Sequence, residues 1–258
     1  MYSEENWIFS LLFGCVMCVI LEYFLHYRIA LNCGIAEKDG FTFLSKKCSL
    51  WKIMLTIFST GYLFAHHYKG DINGRHRKRF IRKCNRCNLV VSLFLMSISF
   101  CMVSADYKFL IPFIMGINGY RFISRSLEII VAFGFDAFDE NDNKSELNKL
   151  ERINLATTSY LEIYIYSASF YVTLIAGNSS IIPTWKAMLM TLSAGTLTNV
   201  AYTQDSLFEP LKLFPFFQVF ATLSLIVLSL TMYVSREFIK KKKSKKHPFR
   251  SNFKSDKI

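Results

Sequence analysis

The chain has 258 residues, 52% of them apolar, with 25 Phe and 13 Tyr, and a formal net charge of +12. Several apolar runs approach the roughly 20 residues that a helix needs to cross a bilayer, which marks an integral membrane protein and excludes an ordinary soluble domain. In a soluble chain that charge would suggest nucleic acid. Here Lys and Arg lie between apolar runs and at the C-terminus, as cytoplasmic flanks do, so no nucleic-acid partner is expected.

The first run, residues 7–27, follows Glu4 and Glu5 with no basic leader and no small-residue cleavage site, so it reads as a retained span. Glu22 lies near its end; an intramembrane acid is a functional hypothesis by default, and pairing with Arg28 or water is the plainer expectation. Residues 32–50 form a polar external link, in which Cys33 and Cys48 could pair in an oxidising compartment. A second span, 51–68, runs from Trp51 to Tyr68. The stretch RHRKRFIRKCNR, 75–86, is the densest basic loop and is expected in the cytoplasm. Its Cys84 and Cys87 supply two of the four ligands a structural zinc site needs, so no metal is expected.

Residues 88–105 make a third span, and 109–123, interrupted by Pro112, Gly116 and Gly119, a weak fourth. Over 120–138 a narrow stripe of Arg121, Ser124, Arg125, Glu128, Ala132 and Asp136 recurs at helical spacing beside a Phe-rich face. That pattern predicts an amphipathic helix lying in the membrane interface, with Arg125 and Glu128 three apart and able to pair. The acidic segment 138–151 begins like a calcium loop, but Lys144 replaces its glycine and Leu150 its bidentate glutamate. A solvated linker and helix cap is expected there instead. The fifth span, 155–176, carries Glu162, which either marks an ion route or pairs with a basic residue such as Arg152.

The last third holds a short apolar segment from Thr184, then Thr196-Leu197-Thr198-Asn199-Val200-Ala201-Tyr202-Thr203, a Pro-punctuated link and a final span, 211–234. Helix, half-helix, threonine-rich turn and helix resembles the pore domain of potassium channels, whose filter reads T-x-T-T-V-G-Y-G-D. Thr196, Thr198, Val200 and Tyr202 match; Asn199, Ala201, Thr203 and Gln204 depart. The resemblance implies an ion-filter at Thr198, Asn199, Val200, Ala201, Tyr202 and Thr203, with backbone carbonyls replacing the water shell of a permeant monovalent cation, K⁺ in that family. It also implies a homotetramer. Thr196, Glu162, Arg125 and Glu128 are candidate pore or coupling residues. Ala201 and Thr203 occupy both glycine positions, and an L-residue at positive φ is strained, so an altered filter is expected.

The expected fold is an all-α integral membrane protein of about six transmembrane helices, with a re-entrant pore helix and filter-like loop between the last two. Its regions are an N-terminal membrane part (1–119), an interfacial helix and linker (120–154), a pore-loop domain (155–236) and a basic cytoplasmic tail (237–258). The basic clusters put both termini in the cytoplasm of a multi-pass plasma-membrane protein, and the KKKKSKK tail attracts anionic lipid. No nucleophile elbow, phosphate loop or triad points to an enzyme, and no cofactor is expected. Two functions follow: a cation channel with an altered filter, or a non-conducting sensor, regulatory subunit or scaffold that keeps a pore-like fold.

Overall fold

A computed structural model describes residues 4–34, 59, 61, 74–105, 107–138, 147–178, 184–207 and 211–227. Among these the chain is helical throughout, without a strand. The elements are α1 (Glu4–Leu31), α2 (Gly74–Ser104), α3 (Ile111–Phe138), α4 (Lys149–Asn178), the short α5 (Thr184–Gly195) and α6 (Val200–Asp205), and α7 (Leu211–Val227), whose first turn is 3₁₀.

Local chemistry accounts for several helix ends. α1 closes with the amide of Gly34 donating to Leu31 O at 2.9 Å, and Gly34 takes φ 69°, a conformation open to glycine. Arg28 in its last turn complements the negative end of the helix dipole. α3 has Pro112 in its first turn, where a missing N–H costs nothing. α4 opens with a reciprocal capping box: the Glu151 amide donates to Asn148 Oδ1 at 2.8 Å, and the Asn148 amide donates to Glu151 Oε2 at 3.0 Å.

α1 and α3 run parallel, with Gly14 against Phe113 to Ile117 and Glu22 against Arg121. A Cβ on Gly14 would stand 2.4 Å from the Phe113 carbonyl oxygen, so the glycine permits this close approach. α2 and α4 run the other way against α3, pairing Ser99 and Ser169 with Asn118, and Asn85 and Glu162 with Arg125. α7 joins through stacked rings: Phe214 lies 4.4 Å from Phe170 and 6.3 Å from Phe122. The end of α1 and the basic starts of α2 and α4 meet at one end of the bundle, through Lys83 on Asn32 O and Lys78 and Arg82 on Glu151.

Among the described residues, two helices are long and apolar enough to cross a membrane, α1 over Ile8–Leu31 and α2 over Gly74–Ser104. Their outer faces are apolar: Phe9, Leu12, Phe13 and Val16 on α1, and Val90, Leu93 and Phe94 on α2, are exposed. Contiguous exposed apolar surface of this kind is costly in water and fits a lipid contact.

Four expectations change. The basic segment 75–86 is the first half of α2, not a loop; it contains neither Gly nor Pro, and Glu151 pairs with both Lys78 and Arg82. The weak run 109–123 and the interfacial helix 120–138 are one continuous helix, α3. The first part of its polar stripe faces inward: Arg121, Ser124, Arg125 and Glu128 are all buried, because α1, α2 and α4 each bring polar partners to it, while Ala132 is exposed. Finally, Cys33 does not lie opposite the basic segment. It packs with Ile29 and Ala30 on Phe80 and Cys84, and Lys83 Nζ donates to Asn32 O at 3.2 Å, so α1 ends where α2 begins. Cys48, all of the 51–68 span except Ser59 and Gly61, and the basic tail lie outside the described residues.

Candidate functional site

Polar residues in an apolar helix must find one another, since each unsatisfied group costs several kcal/mol in hydrocarbon by order of magnitude. Three helices carry such residues at spacings of three, four or seven: Asn85, Asn88, Ser92 and Ser99 on α2; Asn118, Arg121, Arg125 and Glu128 on α3; Ser159, Glu162, Tyr166, Ser169 and Thr173 on α4. That spacing keeps each set on one face. The three faces meet, and Glu22 of α1 closes the fourth side.

Arg121 is 2% exposed, and each of its three nitrogens is engaged. Nη1 pairs with Glu22, Nη2 donates to Asn88 Oδ1 at 2.6 Å, and Nε donates to the Tyr166 hydroxyl at 3.0 Å. That hydroxyl in turn donates to Asn88 O at 3.2 Å. One turn on, Arg125 makes a fork with Glu162, Nε to Oε1 at 2.6 Å and Nη2 to Oε2 at 3.0 Å. Its Nη1 pairs with Glu128 at 2.6 Å, and Nη2 also donates to Asn85 Oδ1 at 3.1 Å, which accepts from Ser159 as well. Ser124 donates to Glu22, and its carbonyl accepts from Ser59 at 2.9 Å. Gly61 lies against the carboxylates of Glu22 and Glu128. Planar, permanently charged guanidinium groups holding several carboxylates and amides pin four helices together. The arrangement acts as a clamp between helices.

The structure therefore unites Glu162, Arg125 and Glu128, three of the candidate coupling residues. The Arg125–Glu128 pair expected from spacing is present. Glu162 pairs with Arg125, not with Arg152, because Arg125 is the guanidinium that α3 brings to its buried face.

The filter candidates lie elsewhere, at the tip of the α5–α6 hairpin. Thr198 and Asn199 belong to the turn and are exposed; Val200, Ala201, Tyr202 and Thr203 form most of the helix α6. Asn199 is its N-cap, accepting from the Tyr202 amide at 3.1 Å. The expected strain at Ala201 and Thr203 is absent, since both adopt helical backbone. It falls on Leu197, the one non-glycine residue with positive φ (61°) among the described residues. Leu197 occupies the left-handed position of a helix C-cap, with its amide on Ala194 O at 3.3 Å and the Thr198 amide on Ser193 O at 3.1 Å. The threonine hydroxyls are used locally: Thr196 donates to Leu192 O at 2.7 Å and lies 3.0 Å from the Thr198 hydroxyl, and buried Thr203 donates to Met190 O at 2.8 Å.

The hairpin is docked on both sides. Tyr160 of α4 donates to Gly195 O at 3.3 Å, and Gln218 of α7 donates to Thr191 O at 2.9 Å. Its far end rests on an apolar cluster with Tyr171, Ile175, Met190 and Leu207. No protein-family model matches the chain, and no curated protein or solved structure shows significant similarity to it.

Proposed function

We propose that the chain is a multi-pass membrane protein with a pore-hairpin layout whose hairpin is closed, so that it serves as a regulatory or scaffolding subunit and not as a potassium-conducting pore. The observation that carries this reading is the helical backbone of Val200–Asp205. A filter needs carbonyl oxygens aimed at an axis and free to replace ion hydration. In a helix those oxygens point along the helix and accept from amides four residues ahead.

The membrane assignment rests on the two spanning helices and the exposed apolar faces. The layout is supported by the docking of α5–α6 between α4 and α7, with the tip beside Tyr160. The basic end of the bundle belongs in the cytoplasm. α7 runs toward that end, which agrees with a cytoplasmic C-terminus. α1 runs toward it too, which favours an N-terminus on the opposite face and revises the expectation of two cytoplasmic termini.

Flux into proteoliposomes tests the reading. Wild type and the variant carrying both Ala201→Gly and Thr203→Gly, each verified as inserted, should pass neither K⁺ nor Na⁺ above empty liposomes. Potassium-selective flux by wild type would overturn the proposal and restore the tetrameric channel that the family resemblance implies.

A further inference from the structure

A polar cavity of about 180 Å³ opens between the basic half of α2 and the start of α4. It is lined by Arg82, Asn85, Arg86, Glu151, Asn154 and Thr158, the Glu151 carboxylate being paired with Lys78 and Arg82. The neighbouring cations are already committed: Lys78 and Arg82 pair with Glu151, and Lys83 donates to Asn32 O. Arg86 is exposed and makes no ion pair or hydrogen bond among the described residues. The Thr158 hydroxyl already donates to Asn154 O at 2.7 Å, so the cavity offers phosphate oxygens one uncommitted guanidinium beside the Asn154 side-chain amide.

Directly along the same face of α2, at helical spacing from Arg86, stand Val90, Leu93 and Phe94, all exposed and apolar; Leu161 is exposed on α4. A basic pocket at the foot of an apolar ridge matches a molecule with a phosphate at one end and hydrocarbon at the other. Basic pockets between helices at the cytoplasmic boundary are suited to anionic headgroups.

We infer that this cavity binds the phosphodiester headgroup of one anionic phospholipid, with Arg86 as the principal contact and the acyl chains along Val90, Leu93 and Phe94. The inference rests on the membrane reading above. It concerns residues other than those of the C-terminal basic tail. Since Asn85 lines the cavity and also accepts from Arg125, the bound headgroup abuts the buried ionic clamp.

The test is native mass spectrometry of the full chain in detergent, titrated with phosphatidylglycerol or phosphatidylcholine. One phosphatidylglycerol per chain should be retained in preference to phosphatidylcholine. Arg86→Gln should weaken that retention roughly tenfold, the scale of one lost charge-assisted bond. Asn154→Ala should weaken it less, which keeps the test open if the arginine variant misfolds. Arg75→Gln, roughly 16 Å away along the helix, should leave it unchanged. Equal losses with Arg75→Gln and Arg86→Gln, or no preference between the two lipids, would overturn the site while leaving the membrane reading intact. Displacement of the lipid by millimolar inorganic phosphate would overturn it in favour of a soluble phosphate ligand. A chain that stays soluble without detergent and retains no lipid would defeat the membrane reading itself.

Discussion

The four-helix clamp and the α5–α6 hairpin use polar residues in opposite ways. In the clamp, charged side chains from α1, α3 and α4 reach across helices separated widely in sequence, as Glu22 does to Arg121 and Arg125 to Glu162. In the hairpin, most hydroxyls bond within their own or the adjoining helix, as Thr196 does to Leu192 O and Thr203 to Met190 O. The first arrangement fixes which helices are neighbours. The second only shapes a local turn, and tertiary anchoring of the hairpin falls to Tyr160, Gln218 and the apolar cluster at its far end. A buried ionic network should therefore fail all at once when one partner is removed, and the hairpin should loosen by degrees.

The largest break is Arg121→Met, which removes the guanidinium paired with the buried Glu22 carboxylate. It should cost about 3–5 kcal/mol, the usual penalty for breaking a buried pair by removing one partner. Thermal unfolding in detergent should show the loss, and adding Glu22→Leu should recover part of it. If both single substitutions and the double were near neutral, the clamp would have no energetic role. In the hairpin, Thr203→Val removes the bond to Met190 O and should cost about 1 kcal/mol. Its distinguishing sign is faster proteolysis between α5 and α7 with the rest of the bundle unaffected.

Relief of strain sharpens the contrast from the other side. Leu197→Gly should raise stability by up to about 1 kcal/mol, because glycine takes positive φ without penalty. A drop instead would mean that the exposed leucine side chain holds the tip against a neighbour.

The smallest effect belongs to Glu151, at the water-facing foot of the clamp helices. The hydrogen bond from Lys78 holds its carboxyl below the ordinary glutamate range, helped by the Asn148 amide and the charge of Arg82. A folded value below the unfolded one stabilises the protein fully above the ordinary range, near 4.3, and the contribution fades as pH falls through the depressed value. Glu151→Gln should therefore flatten the acid limb of the melting-temperature profile and leave the profile near neutral pH little changed in slope. An unaltered acid limb would show that the pair is loose in solution.

Much of this could be read along the chain. Apolar length and composition marked the helices that are long and apolar enough to cross a membrane, Ile8–Leu31 among them. The i,i+3 pairing of Arg125 with Glu128 and the cap at the start of α4 were equally legible, being local. The stripes of α2, α3 and α4 were present in the sequence as well. By itself the α3 stripe reads as a wet face, because a polar stripe looks the same whether it meets water or other polar stripes. Which occurs depends on partners contributed from other helices, and no local pattern states that Glu22 will stand beside Arg121. The hairpin shows the converse limit. A filter-like string of Thr, Val and Tyr fixes side-chain chemistry but leaves the backbone free to coil. Asn199 at the cap and Thr203 buried against Met190 selected helix over extended chain. Composition and spacing thus determined the class of each element, because those forces act within a few residues. The buried charge pairing, the closed hairpin and the cavity beside Arg86 required the tertiary structure, because each is made by groups that meet only after the helices pack.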